Sequence, residues 1–302
     1  MSSELESCLV IGVSSRALFD LTAENEVYET NGLQSYREYQ LAHENEVLLP
    51  GPGFGLIRGL LKLNELTPGK RKSEVIIMSR NGADTSLRIF NSVEHYGLDI
   101  TRAALSGGKL LAPYLKAFDV DLFLSLDAVD VQNAINNGFA AGTIYENNFT
   151  CSEDTQPLEV IRIAFDGDAV LFSDESEQIY QTQGLAAFQA HEKENAKNPL
   201  AEGPFAKLLK TIASIQAQFE PDNVPIRTAL VTARNSPAHE RVVRTLMAWD
   251  VRIDEAFFLG GVSKHEVLRA FGAHIFFDDQ DMHLDSAAQY IPVAKVPYRV
   301  KP

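Results

Sequence analysis

Short, continuous apolar runs alternate along the chain with longer stretches whose apolar residues recur at helical spacing. Cys8–Val13, Val75–Met78 and Leu122–Ser125 are such runs in the first half. Val160–Phe165, Thr228–Val231 and Ile275–Asp278 are their counterparts in the second. Thr85–Tyr96 and Pro237–Trp249 read as helices, each following the second run of its half. A further short strand in each half leads into Gly-Gly (Gly107-Gly108 and Gly260-Gly261), then into another helix. Apolar strands alternating with helices predict an α/β fold, a parallel sheet covered on both faces. In such a sheet the reactive groups belong at the carboxyl ends of the strands.

The chain also repeats itself. Val27-Tyr28-Glu29-Thr30-Asn31-Gly32-Leu33 returns 152 positions later as Ile179-Tyr180-Gln181-Thr182-Gln183-Gly184-Leu185. Gly51-Pro52 returns as Gly203-Pro204 at the same offset. One residue is then gained, and at 153 positions Ser106-Gly107-Gly108 falls on Leu259-Gly260-Gly261. These matches predict two tandem halves, residues 1–150 and 151–302. The polar stretch Asn147–Pro157 would be the boundary. After its first strand each half carries a long insertion, about 20–72 and 173–223. Helical patterns from Ala186, and from Phe205 to Phe219, make these insertions helical caps. Phe205, Leu208, Leu209, Ile212 and Ile215 form one apolar stripe, which suits packing against the neighbouring half. Tyr180, Phe188 and Phe205 are aromatic groups that either stack on a base or belong to the core.

Composition narrows the function. The 302 residues carry 27 Lys and Arg against 41 Asp and Glu, a formal net charge of −14. Such a surface repels phosphate backbones and argues against nucleic-acid binding. A small phosphorylated substrate remains open, because a metal ion and a few basic groups can invert the local field. The two cysteines, Cys8 and Cys151, fit no disulfide or zinc spacing. They point to a reducing compartment. The start of the chain has no basic segment, and its apolar run is too short for a signal peptide or membrane span. The expectation is a cytoplasmic protein without membrane contact.

The chemistry concentrates in the second half. Asp166-Gly167-Asp168 follows the first strand there, Thr232-Ala233-Arg234 the second, and Asp278-Asp279 stands at the end of the last. Lys264 lies near a helix start after Gly260-Gly261. All of them fall on one edge of the expected sheet. Crowded carboxylates need a cation, and an all-oxygen set suits Mg²⁺ shared with a substrate phosphate. An Asp can attack phosphorus, and a second Asp two residues on can protonate the leaving oxygen and then activate water. A Thr hydroxyl, neighbouring N–H groups and a Lys can hold the phosphoryl oxygens. Arg234, beside that turn, is a further candidate for the phosphate, ahead of His239 and Arg241 on the following helix.

This order of groups resembles the haloacid dehalogenase superfamily of phosphatases. The stretches IRIAFDGDAVLFSDESE, ALVTARNSPAHERVVRTL, FFLGG and HIFFDDQ are similar to cytosolic 5′-nucleotidases of type I. So are EVIIMSRNGADTSLRIFNSVEHYGLDITRAALSGG and YLKAFDVDLFLS in the first half. The resemblance implies two haloacid-dehalogenase-like halves and Mg²⁺-dependent hydrolysis of nucleoside 5′-monophosphates, AMP foremost. It makes Asp166 the nucleophile and Asp168 the general acid/base. Thr232, Ala233, Arg234 and Lys264 would hold phosphate. Asp166, the Asp168 carbonyl, Asp278 and Asp279 (directly or through water) would hold the metal. Val170 departs from the Thr that is frequent at that position. The rivals are a phosphatase or phosphotransferase for another small phosphomonoester, a nucleotide-sensing binding protein, and a structural interaction module.

The same alignment empties the first half. Ser14 stands for Asp166, Arg16 for Asp168, Leu111 for Lys264, and Ser125-Leu126 for Asp278-Asp279. Thr232 becomes Ser79. This half is expected to be catalytically inert. It is either a scaffold or an anion pocket of Ser14, Ser15, Arg16, Ser79 and Arg80. Such a pocket would read an effector nucleotide or complete the substrate site. Base preference and oligomeric state leave no mark in the sequence.

Overall fold

A computed structural model describes residue 5 and residues 8–67, 69–146 and 159–300. The expected boundary at 147–157, and Cys151 with it, lie outside the described residues. Among the described residues ten strands form: β1 Leu9–Val13, β2 Ser73–Ser79, β3 Arg102–Leu105, β4 Leu122–Ser125 and β5 Ala141–Ile144 come first. β6 Ile161–Phe165, β7 Ile226–Thr232, β8 Glu255–Phe258, β9 Ile275–Asp278 and β10 Val293–Lys295 follow. The apolar runs read from sequence are thus strands, shifted by at most two residues at either end. Their side chains are buried on both faces, as strands between two helical layers require.

All ten strands join one sheet in the order β3-β2-β1-β4-β5-β10-β9-β6-β7-β8. Every neighbouring pair is parallel except β5 with β10. The order therefore reads the same inward from both outer strands. Registers repeat as well. Leu9 pairs with Ser73 and Ile161 with Ile226, while Ile11 pairs with Leu122 and Ile163 with Ile275. The sequence offsets carry one set onto the other. At the seam Ala294 faces Ile144 and Lys295 faces Thr143. A Cβ on Gly142 would stand 3.0 Å from both the Ala294 Cβ and a Phe277 ring carbon, so a side chain here would press on both neighbours across the seam. The antiparallel seam has a consequence for function. The carboxyl ends of β1, β2 and β4 lie on one edge of the sheet, and those of β6, β7 and β9 on the other.

Each insertion is helical. Thr22–Ala42 and Glu175–Glu194 are long helices broken at Gly32 and Gly184, where φ is 79° and 82°. Only glycine adopts that conformation at no cost. The break at Gly184 starts the second helical segment at Leu185, one residue from the expected start at Ala186. A first segment, not read from the sequence, precedes it. The helix begins at Glu175, and its polar first half shows no apolar period to read. The Ala206–Gln216 helix buries the predicted stripe and packs on β1 of the other half, while Phe54–Lys62 packs on β2 and β6. Lys207 Nζ lies 2.8 Å from Asp119 and 3.1 Å from Asp121, and Asp121 in turn accepts a hydrogen bond from Val10 N. One apolar cluster runs through residues of both halves. No described helix is long and apolar enough to cross a membrane.

His274 ties β6 to the segment entering β9. Its Nδ1 accepts a hydrogen bond from Arg162 N at 2.9 Å, and its own N–H donates to Arg162 O. Burial, with Arg162 adding to it, pushes the imidazole down to about 4. A group whose folded value is depressed stabilises above its unfolded value and loses that contribution as pH falls. Stability should therefore decline as pH drops from about 6.5 towards about 4. His274→Asn, which keeps an acceptor at that place, should flatten this decline in denaturant titrations. Equal slopes for both proteins would count against it.

Candidate active site

The sequence-predicted groups converge on the edge formed by the carboxyl ends of β6, β7 and β9. Asp166 follows β6, Thr232 closes β7 and Asp278 closes β9, with Asp279 next to it. All four are buried. Their positions follow from the ladder: Asp166 N donates to Phe277 O at 2.8 Å, which brings the ends of β6 and β9 together. Lys264, also buried, caps the helix His265–Phe271 and reaches back across this edge. Its Nζ lies 2.7 Å from Asp166 Oδ1 and 2.7 Å from Asp278 Oδ2.

Carboxyl oxygens of Asp166, Asp278 and Asp279 all lie within 4.8 Å of one another. Burial raises the pKa of each, and the neighbouring acids add to the shift of Asp166 and Asp279. Lys264 opposes it at Asp166 and Asp278. Burial alone would lower Lys264, but the two carboxylates outweigh it and keep the ammonium charged. Asp278 Oδ1 accepts from Gln280 N at 2.8 Å, and Asp279 Oδ2 accepts from the Tyr298 hydroxyl. Asp279 Oδ1 is buried with no hydrogen-bond partner. An orphaned buried carboxylate oxygen beside two further acids fits a hard divalent cation. The donor set has the oxygen chemistry that Mg²⁺ takes.

Asp168 stands apart from this cluster. Arg234 Nε and Nη2 grip its two oxygens at 2.8 and 2.6 Å. The third guanidinium nitrogen, Nη1, donates to Glu192 of the cap helix Glu175–Glu194. Glu192 also accepts from Arg241 at 2.8 Å and from Ser176 at 2.9 Å. Burial would raise the Glu192 carboxyl, yet Arg234 and its other partners hold it below its ordinary range. Arg234 thus fastens the cap to the loop after β6, and Arg241 ties the cap to the helix after β7; the phosphate contact expected of them is not what these nitrogens make here. Ala233 offers only its backbone at the turn after β7, where Thr232 Oγ1 accepts from Arg234 N at 3.2 Å. His239 lies against Phe258, with ring centroids 6.0 Å apart.

The aromatic candidates divide. Phe205 is core, its ring 4.8 Å from Phe277 and 6.1 Å from Phe165. Phe188 is buried under Arg234, while Tyr180 is exposed. Four groups near the site escaped the sequence reading: Glu177, Glu192, Arg234 in its clamping role, and Tyr298. Burial raises the Glu177 carboxyl, and Asp168 and Asp166 add to the shift, which sets this cap residue over the acids. No motif marks any of the four: Glu192, Arg234 and Tyr298 are recruited by contact across long sequence distance, and Glu177 by the way the cap helix turns back towards the acids.

Removing the charge of Glu192 leaves two buried guanidinium groups sharing fewer partners. Breaking a buried ion pair costs about 3 kcal/mol or more. Glu192→Gln should lower unfolding stability by roughly that amount. A loss below about 1 kcal/mol in denaturant unfolding would place Glu192 among solvent-screened surface pairs instead.

Comparison with known proteins bears on this geometry. A family model described as 5′-nucleotidase matches residues 1–302. Human cytosolic 5′-nucleotidase 1B is 39% identical over 307 residues, covering 98% of this chain and 50% of that protein. The chain thus spans about half the length of this curated relative. A crystal structure described as a UDP-N-acetylglucosamine 2-epimerase of Listeria monocytogenes aligns with 95% of this chain and 78% of its own. That alignment has 10% identity and a TM-score of 0.24, and no argument rests on it. The match along the whole chain takes in every acid of the cluster and the lysine between them: the chain belongs to the 5′-nucleotidase family.

Proposed function

We propose that the chain hydrolyses nucleoside 5′-monophosphates, AMP foremost, to nucleoside and phosphate through an aspartyl-phosphate on Asp166. The reading is supported above all by one observation. In a chain of this family, Lys264 bridges Asp166 and Asp278 beside a third acid whose Oδ1 is buried and unpartnered. Asp166, Asp278 and Asp279, with the Asp168 carbonyl, would hold Mg²⁺. Bound there, Mg²⁺ supplies charge neutralisation for phosphate oxygens.

The protein's own groups would then act as follows. Lys264 occupies Asp166 Oδ1, which leaves Oδ2 to attack phosphorus. The Thr232 hydroxyl and the Ala233 N–H hold the phosphoryl oxygens. Lys264 offsets the charge that builds on them. Asp168 protonates the departing 5′ oxygen, then takes a proton from the water that splits the aspartyl-phosphate. Arg234 holds both Asp168 oxygens in the free protein and releases one of them to carry that proton when substrate is bound. The cap helix carrying Glu177 and Glu192 keeps bulk water from the acids. On this reading residues 151–302 are the catalytic half. Residues 1–150 are a duplicated half without catalytic groups, and the setting is cytoplasmic.

Phosphate release from nucleoside monophosphates and unrelated phosphomonoesters, with and without Mg²⁺, tests this. Release from AMP should require Mg²⁺ and should fall by about 10⁴-fold or more in Asp166→Asn. Release from non-nucleotide esters alone would keep the mechanism and discard the substrate. A nucleoside acceptor that captures the phosphoryl group would make the chain a phosphotransferase.

A further inference from the structure

We propose that the cavity at the carboxyl edge of β1, β2 and β4 is a second nucleotide site. It would take the phosphate of a mononucleotide without a metal ion. The proposal builds on reading the second half as the catalytic one, because that comparison identifies what the first half exchanged.

The cavity has a volume of about 380 Å³ and is lined only by residues between Ser14 and Asp130. That size is within the range of small-molecule sites. The antiparallel seam puts it on the sheet edge away from the acid cluster, so it does not complete the substrate site. Its floor is the counterpart of the catalytic floor with the acids removed. Ser14 and Ser125 replace Asp166 and Asp278, and Ser79 replaces Thr232. Ser15 Oγ and Ser79 Oγ lie 3.1 Å apart, a pair of hydroxyls at the strand ends. Gly107 and Gly108 keep the turn of Gly260 and Gly261: φ is 58° and 89° in one, 59° and 89° in the other. The frame that would cradle a phosphoryl group in the second half is thus retained.

Charge decides what this frame accepts. The four acids lining the cavity all have arginine partners. Glu24 pairs with Arg88, Asp84 with Arg37, and Asp127 and Asp130 with Arg80. None is left to recruit a metal, and among the described residues the three-acid group found is the one in the second half. Arg16 is the cation available to an anion. It occupies the Asp168 position, and among the described residues its ion-pair partner is Glu146 at 3.5 Å, with side chains 39% and 61% exposed. A surface pair of this kind yields readily to a phosphate. Across from the floor, Tyr28, Leu33 and Tyr36 of the Thr22–Ala42 helix line the same cavity, the two rings 5.9 Å apart. A hydroxyl-rich floor with Arg16 at its edge, under an aromatic wall, matches a ligand with a phosphate at one end and a base at the other.

Calorimetric titration with AMP in excess EDTA tests the proposal. One AMP should bind per chain, inorganic phosphate should compete, and adenosine should bind at least tenfold more weakly. Arg16→Ala should weaken AMP at least tenfold, whereas Lys264→Ala should leave the affinity unchanged. Magnesium-dependent phosphate release in Arg16→Ala shows separately whether the catalytic reading stands. No binding in EDTA overturns the proposal. So does binding lost in Lys264→Ala but kept in Arg16→Ala, which would assign it to the catalytic edge. Adenosine binding as tightly as AMP, with Arg16→Ala silent, overturns the phosphate assignment.

Discussion

Three buried carboxyl groups on one sheet edge cannot stay ionised together without positive charge between them. Lys264 supplies it, and most of the second half is arranged to bring it there. The ladder between β6 and β9 sets Asp166 beside Asp278. The Gly260-Gly261 turn and the following helix return the ammonium to within 2.7 Å of both. One oxygen of Asp279 is left without a partner, the deficit that the proposed metal ion would fill. The second balanced group, Asp168 with Arg234 and Glu192, fixes the cap to the loop after β6. Charge compensation thus connects the sheet edge, the cap and the candidate chemistry.

The seam between β5 and β10 arranges the rest. Two short antiparallel strands join two sets of parallel strands into one sheet, and the closeness of Gly142 to Phe277 and Ala294 makes the junction tight. The helices Phe54–Lys62 and Ala206–Gln216 cross to the opposite half. Such contacts are what a scaffold role for the first half would require. The cavity on its own edge is additional to that role, since none of the residues lining it takes part in the crossing helices.

Much of this was legible in the sequence, for physical reasons. Central strands of a doubly covered sheet are continuous apolar runs, so Leu122–Ser125 and Ile275–Asp278 could be read to the residue. Groups at strand ends inherit that accuracy, which is why Asp166, Thr232, Asp278 and Asp279 share one edge as expected. β5 and β10 were not legible. Ala-Gly-Thr-Ile and Val-Ala-Lys are too short and too mixed to stand out from loops, and they are strands through their pairing. Tyr298 and Glu192 were silent because their roles depend on contacts with Asp279, Arg234 and Arg241, far away in the chain. Arg234 was read as a phosphate ligand from its place in the turn, and only its three-nitrogen grip on two acids revealed the clamp.

The central claim is that Asp166, held by Lys264, becomes covalently phosphorylated. The most direct measurement is acid quenching of the enzyme during turnover of radiolabelled AMP, followed by borohydride reduction and peptide mass spectrometry. The account predicts a base-labile acyl-phosphate whose reduction converts position 166 to homoserine. Phosphate release with no homoserine at position 166, or homoserine at another aspartate, would contradict it.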